Sequence, residues 1–111
     1  MIYLFCGEDY YESFNRSLTT AHNLASKSDT SVNIVNADEL TDINYILQLL
    51  EGVDMFASTG ILLLKRLLNN KKFIEYFAEN FERLSQFDIV IWQDNKADSK
   101  LKLVKKILES K

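Results

Sequence analysis

Apolar positions along this chain fall into two alternating rhythms. Short, nearly unbroken runs occur at Ile2–Cys6, Val32–Val35, Ile61–Leu67 and Asp88–Trp92. Between them lie longer stretches in which apolar residues recur every three or four positions. The runs predict strands and the stretches predict amphipathic helices. A first helix is expected from about Asp9 to Lys27, with Tyr11, Phe14, Leu18, Ala21 and Ala25 as its buried stripe. A second, from about Asp42 to Glu51, buries Ile43, Ile46, Leu47 and Leu50 and stops at Gly52. Asn69-Asn70 offers a cap for a third helix reaching about Leu84, whose inner face carries Phe73, Phe77, Phe81 and Leu84 as aromatic core. A last helix follows Asp98, with Leu101, Leu103, Val104, Ile107 and Leu108 on its apolar side.

Strand and helix therefore alternate four times. That order implies right-handed crossovers and a parallel sheet with helices on both faces, a three-layer α/β sandwich with a small sheet. Ile2–Cys6 is expected as a first, central strand. Proline is absent and no Gly/Ser-rich linker or repeat interrupts the chain, so residues 1–111 form a single domain. A four-stranded sheet ending on a helix is expected of the front part of something longer.

Composition narrows the class without naming a task. With 47% hydrophobic and 26% charged residues the chain is globular, and a formal charge of −3 gives no general reason for nucleic-acid binding. The charge is uneven: Lys96, Lys100, Lys102, Lys105, Lys106 and Lys111 face only Asp98 and Glu109 near the end. This is either a solvated helix face or a phosphate-contacting patch. Cys6, the one cysteine, sits in an apolar run and reads as a buried, inert thiol in a reducing cytosol. No secretory leader or membrane-length apolar run is present, so a cytoplasmic protein without membrane contact is expected.

Candidate chemistry is thin. In such a sheet the first strand-to-helix turn is the natural phosphate site. A phosphate loop would read G-x-x-x-x-G-K-S/T. Counting from Gly7, Glu12 stands at the second glycine, Ser13 at the lysine and Phe14 at the hydroxyl position, while Glu8 and Asp9 bring carboxylates to the helix start. The nucleotide site is degenerate, and no cofactor is expected. A phosphoacceptor receiver domain would use acids such as Glu8 and Asp9 but needs an aspartate at the end of the third strand, where Leu64-Lys65-Arg66 stands. His22, without a second ligand nearby, reads as a surface histidine. Neither catalytic nor metal-ligating residues are expected.

One connector stands out. In Gly52-Val53-Asp54-Met55-Phe56-Ala57-Ser58 two large apolar side chains sit among turn-forming residues. Met55 and Phe56 are either tucked beneath the second helix or offered to a partner. A generic interaction domain that turns its basic last helix toward a partner such as DNA is the rival reading.

Three segments resemble one family in order along the chain. Met1–Asp9 (MIYLFCGED) is similar to the opening of the delta subunit of bacterial DNA polymerase III, the clamp-loader subunit that opens the sliding clamp. Asp54-Met55-Phe56-Ala57-Ser58 resembles that family's apolar-Phe-small segment before its third strand. Trp92–Leu101 resembles its acidic, then Lys-x-Asp turn after the fourth strand. The resemblance implies the N-terminal, ATPase-like domain (P-loop NTPase or AAA+-like) of a longer protein, cut short before a fifth strand. It implies no activity in this domain, although the family belongs to the polymerase III holoenzyme. It further implies a DNA-replication role in which Met55 and Phe56, shaped by Val53, Ala57 and Ser58, bind the sliding clamp (the beta subunit). Other clamp-loader subunits would be partners, and DNA only indirectly. Two departures stand out: Thr59-Gly60 replaces a position often arginine, and Met55 one often leucine. Without a fifth strand, Ile2–Cys6 is expected at an open edge.

Overall fold

The computed structural model describes residues 2–6, 9–28, 30–51, 61–93 and 102–109. Four strands, β1 (Ile2–Cys6), β2 (Val32–Asn36), β3 (Ile61–Lys65) and β4 (Ile89–Gln93), form one parallel sheet in the order β1-β4-β3-β2. Helices α1 (Tyr10–Ser28), α2 (Ile43–Glu51), α3 (Lys71–Glu79), α4 (Phe81–Leu84) and α5 (Lys102–Glu109) cover it.

The strand order explains the layering. From β1 the chain jumps across the sheet to β2, then steps back through β3 to β4. Crossovers of one hand taken in opposite directions lie on opposite faces. Accordingly, Ala21 and Ala25 of α1 pack with Ile61, Leu63, Val90 and Trp92 on one side. On the other, Ile46, Phe73, Phe77, Leu84, Leu103 and Ile107 from the remaining helices pack on Ile2, Leu62, Leu64, Ile89 and Ile91. The two central strands alternate between these cores, which is why their sequences are apolar at successive positions. The three-layer α/β expectation holds.

Several details differ from the pattern-based expectations. Among the described residues β1 is an edge strand, as expected without a fifth strand and unlike the central strand its apolar run suggests: β4 pairs with one side and no described residue with the other. Cys6, at the end of that edge, is exposed rather than buried. Tyr11 is 77% exposed, and Ser13 and Ser17 take the inward positions with Ala21 and Ala25. These four small residues, spaced by four, let α1 lie close to the sheet. β3 stops at Lys65, and Leu67 belongs to a short 3₁₀ turn, Leu67–Asn69. The third helix is broken at Asn80 (φ −111°, ψ 26°), whose backbone N–H and side-chain Nδ2 both donate to the Tyr76 carbonyl. Gln93, expected in a turn, is the last residue of β4 and is buried.

Asn70 caps α3 as expected. Its Oδ1 accepts from Phe73 N–H at 3.4 Å, while its Nδ2 donates to the Ala37 and Leu40 carbonyls, each at 2.8 Å. One amide thereby starts a helix and holds the 3₁₀ turn Ala37–Glu39 against it. Among the described residues, no helix is long and apolar enough to cross a membrane.

Candidate functional site

The carboxyl ends of β1 and β4 lie side by side, with Cys6 opposite Gln93. α1 leaves β1 onto one face while α5 packs on the other. Such a reversal is where parallel α/β sheets hold ligands. Here the turn is short, since β1 ends at Cys6 and α1 begins at Tyr10. Asp9 closes it, its Oδ1 accepting from Glu12 N–H at 3.1 Å and its carbonyl from Ser13 N–H at 3.0 Å. A phosphate cradle needs free backbone N–H groups and positive potential at the helix start. This start uses a donor on its own carboxylate and places negative charge there.

The space behind the turn is occupied as well. Phe5, Trp92, Lys65 and Asn36 form one row across the sheet. Trp92 is fully buried, and its Nε1 donates to Ser13 Oγ at 3.0 Å. The Phe14 ring meets the indole edge-on, with centroids 5.2 Å apart at 70°. Lys65 Nζ lies 5.2 Å from the Phe14 centroid and 5.8 Å from that of Trp92, and the Arg66 guanidinium lies 5.3 Å from the indole. The positions where a phosphate loop would carry its lysine and hydroxyl thus hold a serine bonded to tryptophan and a phenylalanine under a lysine. These residues do not fit a nucleoside triphosphate.

At the end of β3 the receiver-domain alternative finds Lys65 and Arg66 in place of an acceptor carboxylate. Among the described residues, Arg66 is the non-glycine residue with positive φ (φ 61°, ψ 37°). Two bonds over-determine this left-handed turn: Arg66 N–H donates to the Trp92 carbonyl at 2.7 Å, and Asn69 N–H to the Arg66 carbonyl at 3.0 Å. The Gln93 amide completes the corner, accepting from Leu68 N–H at 3.2 Å and donating to Asn69 Oδ1 at 2.8 Å.

A cleft of about 380 Å³ remains between Leu4–Cys6 and the Asp9, Glu12, Ser13 and Arg16 side of α1. Its cation, Arg16, is paired with Glu12 at 2.7 Å. The cleft offers an anion an acid-base pair rather than a free positive group.

The connector residues Val53, Met55, Phe56, Ala57 and Ser58 lie outside the described residues, as do Gly7, Glu8 and residues 94–101, with Leu101 among them. The flanks of the connector are described: α2 ends at Glu51, and β3 begins at Ile61, whose N–H donates to the Ser31 carbonyl at 3.0 Å. His22 is exposed on α1. In α5, Leu103, Val104 and Ile107 are buried and Lys105 is exposed. Lys106 Nζ donates to the Ala78 carbonyl at 2.9 Å, at the negative end of the α3 dipole. It acts as a strut between two helices.

No sequence motif announces the Trp92–Ser13 tie. The signal was there in the small residues Ser13, Ser17, Ala21 and Ala25, which mark the closest approach of α1 to the sheet.

No protein-family model and no curated protein matches this sequence. Among solved structures it is similar to the Thermotoga maritima RuvB Holliday junction branch migration motor, with a TM-score of 0.55 and 16% identity. The match covers 85% of this chain and 30% of that one, so the chain spans less than a third of the length of the protein it resembles. At this identity the likeness speaks to architecture alone: this is a small α/β domain with a four-stranded parallel sheet, folded like part of that structure.

Proposed function

We propose that this is a non-catalytic AAA+-like domain of a clamp-loader subunit, which binds the bacterial DNA sliding clamp and helps open it during replication. The observation that carries this reading is the start of α1, where Asp9, Ser13 and Phe14 are engaged by other protein groups. The fold has the place for a nucleotide, and Asp9, Phe14 and the Trp92–Ser13 pair occupy it. A domain of this architecture without that site works through its surface. The family resemblance of Met1–Asp9, Asp54–Ser58 and Trp92–Leu101 supplies the partner.

In this proposal Met55 and Phe56 enter an apolar pocket on the clamp, with Val53, Ala57 and Ser58 shaping the connector. An aromatic anchor of this kind contributes about 2–4 kcal/mol at a hot spot. Opening the ring needs no chemistry from this chain. Tighter binding to the open than to the closed clamp shifts that equilibrium by the difference in affinity, and by no more. ATP hydrolysis belongs to other subunits, and DNA contact is indirect.

Size-exclusion chromatography of the protein with a purified bacterial sliding clamp tests the proposal. Co-elution that Phe56→Ala abolishes, with the melting temperature preserved, is the expected result. Separate elution of the wild-type protein and the clamp overturns it.

A further inference from the structure

β3 ends as no other strand does. Lys65 is the one charged residue in the four strands, IYLFC, VNIVN, ILLLK and IVIWQ. It stands in a row with Trp92 and Asn36, on the sheet face that Ile61 and Leu63 present to α1. Lys65 is partly buried, and its Nζ sits 5.2 Å from the Phe14 centroid and 5.8 Å from that of Trp92. Among the described residues no carboxylate pairs with it. An aromatic face tempers a cation without neutralising it, so a half-buried ammonium still gains from an anion. Arg66 brings a second cation to the same place. A left-handed position ordinarily falls to glycine or asparagine. Arginine in that position, with φ 61°, has its guanidinium 5.3 Å from the indole that Lys65 also approaches. Asn36, opposite Lys65 in the register, is exposed at the end of the row.

We propose that Lys65 and Arg66, with the Asn36 amide beside them, receive an aspartate or glutamate side chain of a partner protein. The carboxyl end of a parallel sheet is where such folds hold ligands. Two adjacent cationic donors match the two oxygens of one carboxylate. Charge selects the carboxylate over a phosphate. The start of α1 carries Asp9 and Glu12, and their negative charge opposes a multiply charged group more than a singly charged one. The site is separate from the contact proposed for Met55 and Phe56, because the connector enters β3 at its other end, Ile61. An ion pair of this exposure contributes little affinity by itself. It sets the orientation of a partner that is held by a larger surface.

Trp92 reports on this corner directly, since both cations lie close to its ring. The unmodified protein is titrated near neutral pH with sodium acetate, against sodium chloride at equal ionic strength, while the indole N–H resonance and the emission are followed. A saturable shift with a midpoint of about 10–100 mM, absent with chloride, is expected. The blocked peptide acetyl-Ala-Glu-Ala-amide should reproduce it. Lys65→Met keeps the aliphatic stem and should weaken the response several-fold with the far-UV circular dichroism unchanged. Equal responses to acetate and chloride reduce the effect to screening and overturn the proposal. A stronger response to inorganic phosphate than to acetate overturns the choice of a carboxylate. A response to acetate but not to the peptide marks a small-molecule site and overturns the partner. A response that survives in folded Lys65→Met overturns the role of that residue. Where the variant folds poorly, the Lys65 Cε resonance of the unmodified protein decides the same point: it should move together with the indole signal, and a fixed Cε resonance overturns the assignment.

Discussion

Trp92 Nε1 donates to Ser13 Oγ at 3.0 Å, joining two residues 79 positions apart across the interface between β4 and α1. The bond is buried and the indole is fully enclosed. Ser13→Ala takes away the acceptor without adding bulk. Leaving a buried N–H without its partner costs about 1–3 kcal/mol. In a domain of this size each kcal/mol lowers the melting temperature by about 4–8 °C. Thermal unfolding of Ser13→Ala, followed by circular dichroism, should show that fall; an unchanged midpoint would deny the bond a structural role.

The filled turn predicts an absence of linkage to nucleotide. A ligand that binds only the native state raises stability by RT ln(1 + [L]/Kd). Millimolar Mg-ATP should leave the melting curve where it was. Because the turn is short as well as filled, the double change Ser13→Lys with Phe14→Thr should not create a response either. A clear upward shift in the unmodified protein would show that the turn opens.

Asn70 does two jobs that substitution can separate. Asn70→Ala removes both the cap and the tethers to the Ala37 and Leu40 carbonyls, with an expected loss of about 2–3 kcal/mol. Asn70→Ser keeps a capping oxygen and should recover about 1 kcal/mol of that. Equal losses in urea titrations of the two variants would mean that the cap contributes nothing.

Lys106 is expected to matter as a strut and not as a DNA contact. Lys106→Met keeps the aliphatic stem and removes the donor to Ala78, for a loss of about 0.5–1.5 kcal/mol. Retention on immobilised duplex DNA should be negligible at low salt for both proteins. Binding that falls steeply with salt and weakens in the variant would instead favour a phosphate-contacting helix.

Phe56→Ala distinguishes an anchor from a core residue by magnitude. Truncating a core phenylalanine costs about 3–5 kcal/mol. An outward-facing Phe56 predicts a melting temperature changed by no more than a few degrees, alongside loss of clamp co-elution. A drop well beyond ten degrees would assign it to the interior.

Much of the architecture was legible in the sequence because buried parallel strands and amphipathic helices leave different periods. Phe73, Phe77 and Leu84 were correctly read as core, and Asn70 as a cap. What a period does not carry is adjacency. Nothing within Ile2–Cys6 says which strand lies beside it, so its apolar run reads as a central strand with Cys6 buried, and the open edge is expected only from the lack of a fifth strand. The stripe of α1 holds at Phe14, Leu18, Ala21 and Ala25 and fails at Tyr11 for a related reason. Tyr11 looked like a core residue by spacing, yet the indole of Trp92 demands a small polar partner, and Ser13 turns inward to meet it. That the residues of a phosphate loop are replaced is legible from identity alone, since Glu12, Ser13 and Phe14 stand at the diagnostic positions. What Ser13 and Phe14 engage instead is not, because their partners Trp92 and Lys65 come from distant strands.

Trp92 is the chain's one tryptophan, and it sits enclosed with its ring nitrogen engaged and two cations near its π face. Its fluorescence is therefore a built-in optical gauge of a single joint. An event that lifts α1 from the sheet would redden and reshape that emission, whereas changes confined to the far helical layer would leave the colour untouched.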